Sequence, residues 1–144
     1  DYQPPKGAVS MLADRRQLGQ AVTNILKNAV ESIKQRDAAA KGRVEVRIET
    51  GDGKISVQIA DNGIGLPPER DRIVEPYVTT RATGSGLGLA IVKKIVEEHQ
   101  GVLMFDDNGE GGATVTMSFD LLRLDAVLSG GAGARSDSKN EKTE

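Results

Sequence analysis

The 144-residue chain has no cysteine and no tryptophan, and only two phenylalanines and two tyrosines. Without thiols, a disulfide scaffold, a thiolate zinc site and a cysteine nucleophile are excluded. With so few aromatics, any core must be mainly aliphatic. No apolar run approaches the ~18 residues that a membrane-crossing helix needs, and no signal-peptide pattern opens the chain. Positive charge is not in excess either. The net charge is −2, so there is no global basic field to attract nucleic acid. The chain starts at Asp1 rather than Met, which reads as a piece cut from a longer protein. Its 38% hydrophobic and 28% charged residues fit one globular domain, low in apolar content but too rich in it for a wholly disordered chain.

Glycine is the residue in excess. There are seventeen, against about ten at the average usage of about 7%, and they cluster. Around them the chain divides into readable segments. Residues 1–7 are turn-like and carry two prolines, and 8–12 have the look of a short strand. Asp14 is a plausible N-cap. From there Leu18, Val22, Ile25, Leu26, Ala29 and Ile33 recur at helical spacing, which predicts a helix over 14–36. Residues 43–50 and 54–61 alternate apolar and polar and predict two antiparallel strands joined by a GDGK turn. A loop with two glycines and two prolines follows over 61–69, then room for one helical turn before Pro76.

Residues 77–86 lack any period and read as a mobile loop. A second amphipathic helix is predicted over 87–100, stopped by Gly101, and VLMFDD pairs with residues 113–121 around an NGEGG turn. From about 126 the chain cannot bury anything, so the division is a domain over 1–125 and a flexible tail over 126–144. Three helical stretches and about five strands, mostly in hairpins, predict an α+β two-layer sandwich: helices on one face of a mixed, mostly antiparallel sheet. The order is not a βαβαβ repeat, which disfavours a doubly wound dinucleotide fold.

Four features carry candidate chemistry. Asn24 and Asn28 lie one turn apart on the first helix, flanking its apolar stripe. Asn is a mediocre helix former. Two in register suggest a polar site at the core's rim, where neutral amide oxygens suit a hard cation such as Mg²⁺ held mainly by phosphates. The plain alternative is two exposed asparagines with no role. Asp61-Asn62-Gly63-Ile64-Gly65 ends a strand. Its glycines let the backbone come close to a flat ligand, and its carboxylate only accepts hydrogen bonds, which suits the N6 amine of adenine. The same pattern also describes an ordinary tight turn. Gly84-Ser85-Gly86-Leu87-Gly88 runs into the second helix. Exposed amides and a helix N-terminus make an anion site there, the alternative being a surface loop. Thr114, after Gly111-Gly112, would set a hydroxyl beside Asp61 if the strands lie close, and is otherwise an unremarkable strand residue.

Taken in order, these features resemble the catalytic, ATP-binding domain of bacterial sensor histidine kinases, in the superfamily of gyrase, Hsp90, histidine kinase and MutL with its Bergerat fold. NILKNAVES resembles the N box, DNGIGLP the first glycine box, PYVTTR the phenylalanine-type box and GSGLGLAIVKKIVEEHQG the second glycine box. The likeness covers about residues 8–121 with the boxes in family order, and the wording is most similar to the nitrogen-regulation NtrY-type kinases. The resemblance implies ATP and Mg²⁺ as cofactors. Asn28 would ligate Mg²⁺, with Asn24 next to it near the phosphates. Asp61 would bind adenine in a pocket shaped by Gly63, Ile64 and Gly65, with Thr114 assisting through water. Residues 77–86 would form a lid that orders on ATP, with Thr80 among the ATP-binding residues, Arg81 and Lys27 reaching phosphate oxygens and Gly84, Gly86, Leu87 and Gly88 cradling them. Tyr77-Val78 departs from the two phenylalanines usual in that box.

Position 24 separates branches of that superfamily. Members that hydrolyse ATP or phosphorylate serine carry a Glu there as a base, and Asn24 cannot take a proton. An imidazole nucleophile needs no strong base, so transfer to His is favoured over an ATP hydrolase or clamp and over a serine kinase, while the intact boxes argue against a degenerate module that binds no nucleotide. The only histidine, His99, sits at a helix C-terminus, a setting for packing or capping rather than for accepting phosphate. The family's phosphoacceptor lies in a helical hairpin that this chain lacks. The expected partners are therefore the protein's own dimerisation and phosphoacceptor domain and, indirectly, a response regulator, with no nucleic acid and no membrane contact. The fragment is expected to be a cytoplasmic monomer, unable to autophosphorylate alone, from a protein that the inner membrane can anchor.

Overall fold

A computed structural model describes residues 1–3, 11, 13–36, 41–66, 88–109 and 111–121. Its elements are β1 (Tyr2–Gln3), α1 (Arg15–Gln35), β2 (Val44–Gly51), β3 (Lys54–Asp61), α2 (Gly88–Glu98), β4 (Val102–Asp107) and β5 (Ala113–Asp120). The strands form one sheet in the order β1-β2-β3-β5-β4, antiparallel except for the parallel β1–β2 pair.

Local chemistry explains the element ends. The Asp14 carboxylate accepts from the backbone N–H groups of Arg16 and Gln17 and caps α1 as its sequence position predicts. The β2–β3 hairpin closes through Asp52 and Gly53 at φ of 53° and 72°, the left-handed pair that a two-residue turn requires.

Strand alternation then decides the layers. Val46 and Ile48 of β2, Ile55, Val57 and Ile59 of β3, Leu103 and Phe105 of β4, and Val115, Met117 and Phe119 of β5 share one face by register. Against that face α1 buries Ala21, Ile25 and Ala29, and α2 buries Val92, Ile95 and Val96. Both helices thus lie on one side of the sheet, the architecture expected from the pattern. The buried stripe of α1 begins at Ala21 rather than Val22, which is only half-buried. Lys93, Lys94, Glu97 and Glu98 form the solvated face of α2.

One segment departs from expectation. Residues 1–3 are extended rather than turn-like: the Val46 N–H donates to the Asp1 carbonyl at 2.8 Å, and the Asp1 amino group donates to the Val44 carbonyl at 2.9 Å. The β2–β3 hairpin leaves the outer edge of β2 with unpaired backbone groups, and even a two-residue strand satisfies some of them. Among the described residues there are two helices. The expected strand over 8–12 (Met11 excepted), the helical turn before Pro76, the loop over 77–86 and the tail over 126–144 lie outside the described residues.

His99 ties the helix layer together. Its Nε2 accepts the Asp14 N–H at 3.1 Å, its Nδ1 donates to the Ile95 carbonyl at 2.8 Å, and its ring meets Phe119 edge-on. A backbone amide can only donate, so the ring is neutral with its proton on Nδ1. Both nitrogens are engaged and the residue is buried, which is a structural role. His99→Ala is expected to cost roughly 2–3 kcal/mol from cavity formation and two lost hydrogen bonds. Urea unfolding measures this, and a cost near zero would remove the role.

Candidate functional site

The site grows from a stripe on α1. Asn24, Asn28 and Ser32 recur every fourth residue beside the buried Ala21, Ile25 and Ala29, so they stack along the edge of the core. Asn24 donates through Nδ2 to the carbonyl of Gly88, the first residue of α2, at 3.3 Å. Asn28 is half-buried, and its side chain makes no hydrogen bond to any described residue. Lys27 is exposed at the rim. Ser32 ends the stripe against the last residue of β3.

That residue is Asp61, a buried carboxylate with 8% of its surface exposed. Its Oδ1 accepts the Gly63 N–H at 2.8 Å, closing an Asx turn, and accepts the Ser32 hydroxyl at 3.3 Å. Its Oδ2 takes no hydrogen bond from any described residue. The backbone around it is wedged between two elements. A Cβ on Gly63 would stand 2.1 Å from Ser32 Oγ and 2.5 Å from the α1 backbone. Gly65 has φ +82°, and a Cβ there would meet the Gly111 carbonyl at 2.7 Å. Neither position admits a side chain without backbone movement. The exit of β3 therefore runs flush against α1 on one side and the β4–β5 turn on the other. Asn108 fastens that turn, donating to the Asp61 carbonyl at 2.6 Å and accepting the Gly112 N–H at 3.1 Å. Asn62 holds the start of β2, accepting the Arg43 N–H and donating to the Lys41 carbonyl.

Of the residues singled out in the sequence, Asn24, Lys27, Asn28, Asp61, Gly63, Ile64, Gly65 and Gly88 lie along this seam between α1, the end of β3 and the start of α2. Thr80, Arg81, Gly84, Gly86 and Leu87 lie outside the described residues. Thr114 is misplaced by the sequence reading. It pairs with Ala60 and Asp106, one residue out of phase with Asp61, so it belongs to the helix-free face of the sheet. There it lines a cleft with Arg43, Glu45, Arg47 and Gln58, which Asp61 borders from the strand end. Ala113, buried, takes the inward position. Side chains alternate across a strand, and a shift of one residue reverses the face.

Two residues escaped the sequence reading. Ser32 continues the four-residue spacing of the asparagines, a signal that was present. Asn108 in NGEGG reads only as a turn residue, and nothing local reveals that its side chain reaches β3. Among the described residues there is no group of three or more His, Cys, Asp or Glu able to hold a metal.

A family model for histidine kinase-, DNA gyrase B- and HSP90-like ATPases matches residues 13–123. The chain belongs to this family, and it is the ATPase domain of the sensor histidine kinase branch. It is 50% identical over 109 residues to the nitrogen regulation protein NtrY of Azorhizobium caulinodans, covering 73% of this chain and 14% of that protein. With an NtrY-like putative sensor histidine kinase of Rickettsia felis it shares 45% identity over 123 residues, 85% of this chain and 20% of that one. The chain thus spans about a fifth or less of the length of these two relatives. Among solved structures, the mycobacterial sensor histidine kinase MprB superposes with a TM-score of 0.66 at 34% identity, covering 76% of this chain and 73% of that one. Full-length ShkA in complex with AMPPNP superposes at 0.67 with 30% identity, covering 78% and 23%. No helix among the described residues is long and apolar enough to cross a membrane.

Proposed function

We propose that this domain binds Mg²⁺-ATP along the seam of α1 and supplies its γ-phosphoryl group to a histidine on a separate dimerisation domain, within two-component signalling. The observation that carries this is Asp61. One oxygen of this mostly buried carboxylate is bonded twice, while the other meets no described donor and is not sealed from the surface, so it stands open to a ligand. Such an acceptor at the end of the asparagine stripe suits the exocyclic amine of adenine and rejects the carbonyl that guanine carries there. Gly63, Ile64 and Gly65 shape the wall for the flat base. The half-buried Asn28 amide, with no described partner, fits a magnesium ligand: a hard, weakly dehydrated cation takes one neutral oxygen and leaves the rest to water and phosphate. Magnesium, when bound, neutralises phosphate charge. Asn24 stands beside it near the phosphates, while Lys27, Thr80 and Arg81 reach phosphate oxygens and Gly84, Gly86, Leu87 and Gly88 cradle them at the positive end of α2.

Asn24 also decides the reaction. An amide accepts no proton, so Asn24 cannot activate water or a serine hydroxyl as a carboxylate at this position would. An imidazole attacks without that help. His99 is held on both ring nitrogens, so the acceptor belongs to another domain, and a response regulator takes the phosphoryl group onward. ATP supply places the domain in the cytoplasm, and its own surface works as a monomer on its phosphoacceptor partner. The test is to add the separately expressed phosphoacceptor domain of the same kinase with γ-labelled ATP. Label on its histidine is expected; steady phosphate release without it would overturn the assignment. Asn28→Ala is expected to weaken ATP binding about tenfold in magnesium, one lost ligand being worth roughly 1.4 kcal/mol, and to leave binding in chelator unchanged. Titration calorimetry in both buffers measures this.

A further inference from the structure

We propose that Ser32 is a positioning residue that sets purine specificity, its hydroxyl aligning the Asp61 carboxylate for the base; this rests on the adenine reading above. The Ser32 hydroxyl has one hydrogen, and it is given to Asp61 Oδ1 at 3.3 Å. Its lone pair accepts the Ile64 N–H at 3.0 Å. The relay runs in one direction, from the amide of the glycine turn through the hydroxyl to the carboxylate. The Gly63 N–H supplies the second donor to the same oxygen at 2.8 Å. A carboxylate torsion is broad, so a single donor leaves its plane free to rock. Two donors from different elements, α1 and the turn, fix that plane and leave Oδ2 as the acceptor on offer.

The packing independently marks the contact as built. A Cβ on Gly63 would stand 2.1 Å from Ser32 Oγ, so the turn carries glycine where the hydroxyl needs room. Ser32 also supplies what Thr114 cannot. The sheet register turns Thr114 to the opposite face and sets the buried Ala113 inward. Among the described residues, the hydroxyl bonded to Asp61 comes from the helix.

The test compares ATP with purine riboside triphosphate, whose base lacks the 6-amino group, by titration calorimetry on the wild-type chain, Ser32→Ala and Asp61→Asn. Ser32→Ala is expected to weaken ATP about fivefold, the effect of one oriented hydrogen bond, and to leave the deaminated nucleotide unchanged, so that discrimination shrinks. A merely structural serine would weaken both nucleotides equally. That result, or no change in either, overturns the proposal while leaving the adenine reading in place if Asp61→Asn still abolishes discrimination. If Asp61→Asn also leaves discrimination intact, the adenine reading itself falls, and the proposal with it. Ala is a good helix former, and the Ile64 N–H keeps the residue-32 carbonyl within 3.3 Å, so the variant should fold. Should it not, Ser32→Cys, with a thiol that is a poor donor, replaces it under the same expectations.

Discussion

Asp61→Asn is expected to weaken ATP binding roughly a hundredfold, since a hydrogen bond to a charged acceptor is worth about 1.5–3 kcal/mol and a site built for one polar group strongly rejects a mismatch. Stability should change little. The asparagine oxygen can still accept the Gly63 N–H and the Ser32 hydroxyl, which keeps the turn closed. The amide nitrogen then occupies the Oδ2 position and presents a donor where adenine also presents a donor. Isothermal titration on folded protein measures the affinity, and urea unfolding the stability. An affinity within twofold of wild type, with folding intact, would remove adenine from this pocket.

Gly112→Ala has the second large effect, this time on the fold that holds the site. A Cβ there would stand 1.9 Å from the Asp61 carbonyl oxygen, 2.6 Å from its carbon and 2.9 Å from Asn62 Cα. All three atoms are backbone, so no side chain can swing aside. The end of β3 and the start of β5 must separate, and the Asn108 bonds to the Asp61 carbonyl and the Gly112 N–H must stretch. Overpacking of this kind costs roughly 1–3 kcal/mol, with broken hydrogen bonds adding about 1 kcal/mol each. A loss of about 3 kcal/mol in urea unfolding is expected, with weaker ATP binding because Asp61 moves with its strand. A cost under about 0.5 kcal/mol, as for a neutral surface change, would show that the close approach does not constrain the molecule.

Most of the site's helix half was legible before folding. Asn24 and Asn28 show themselves by spacing, because a helix repeats every 3.6 residues and maps sequence distance onto a face. Ser32 obeyed the same rule and went unread because serine is common and its partner lies 29 residues away in β3. The strand half was less legible. A strand's two faces differ by a single residue, so the side chain beside Asp61 depends on register between strands, which sequence spacing does not encode. Thr114 and Ala113 are the consequence. Asn108 and β1 were missed for a related reason: each owes its place to a partner distant in the chain, and neither carries a local period.

The sequence by itself determined the two long amphipathic helices, the two hairpins with their turns, the asparagine stripe and the Asp61 glycine turn. All of these rest on interactions within a few residues, where periodicity, capping and turn chemistry act. Only the tertiary structure decided that Ser32 rather than Thr114 meets Asp61, that His99 locks the α1 N-cap to α2, and that Gly63 and Gly112 are glycine because helix and strand backbones pass within a side chain's width. Those outcomes depend on register and on close packing between distant segments, and both come into being only when the layers meet.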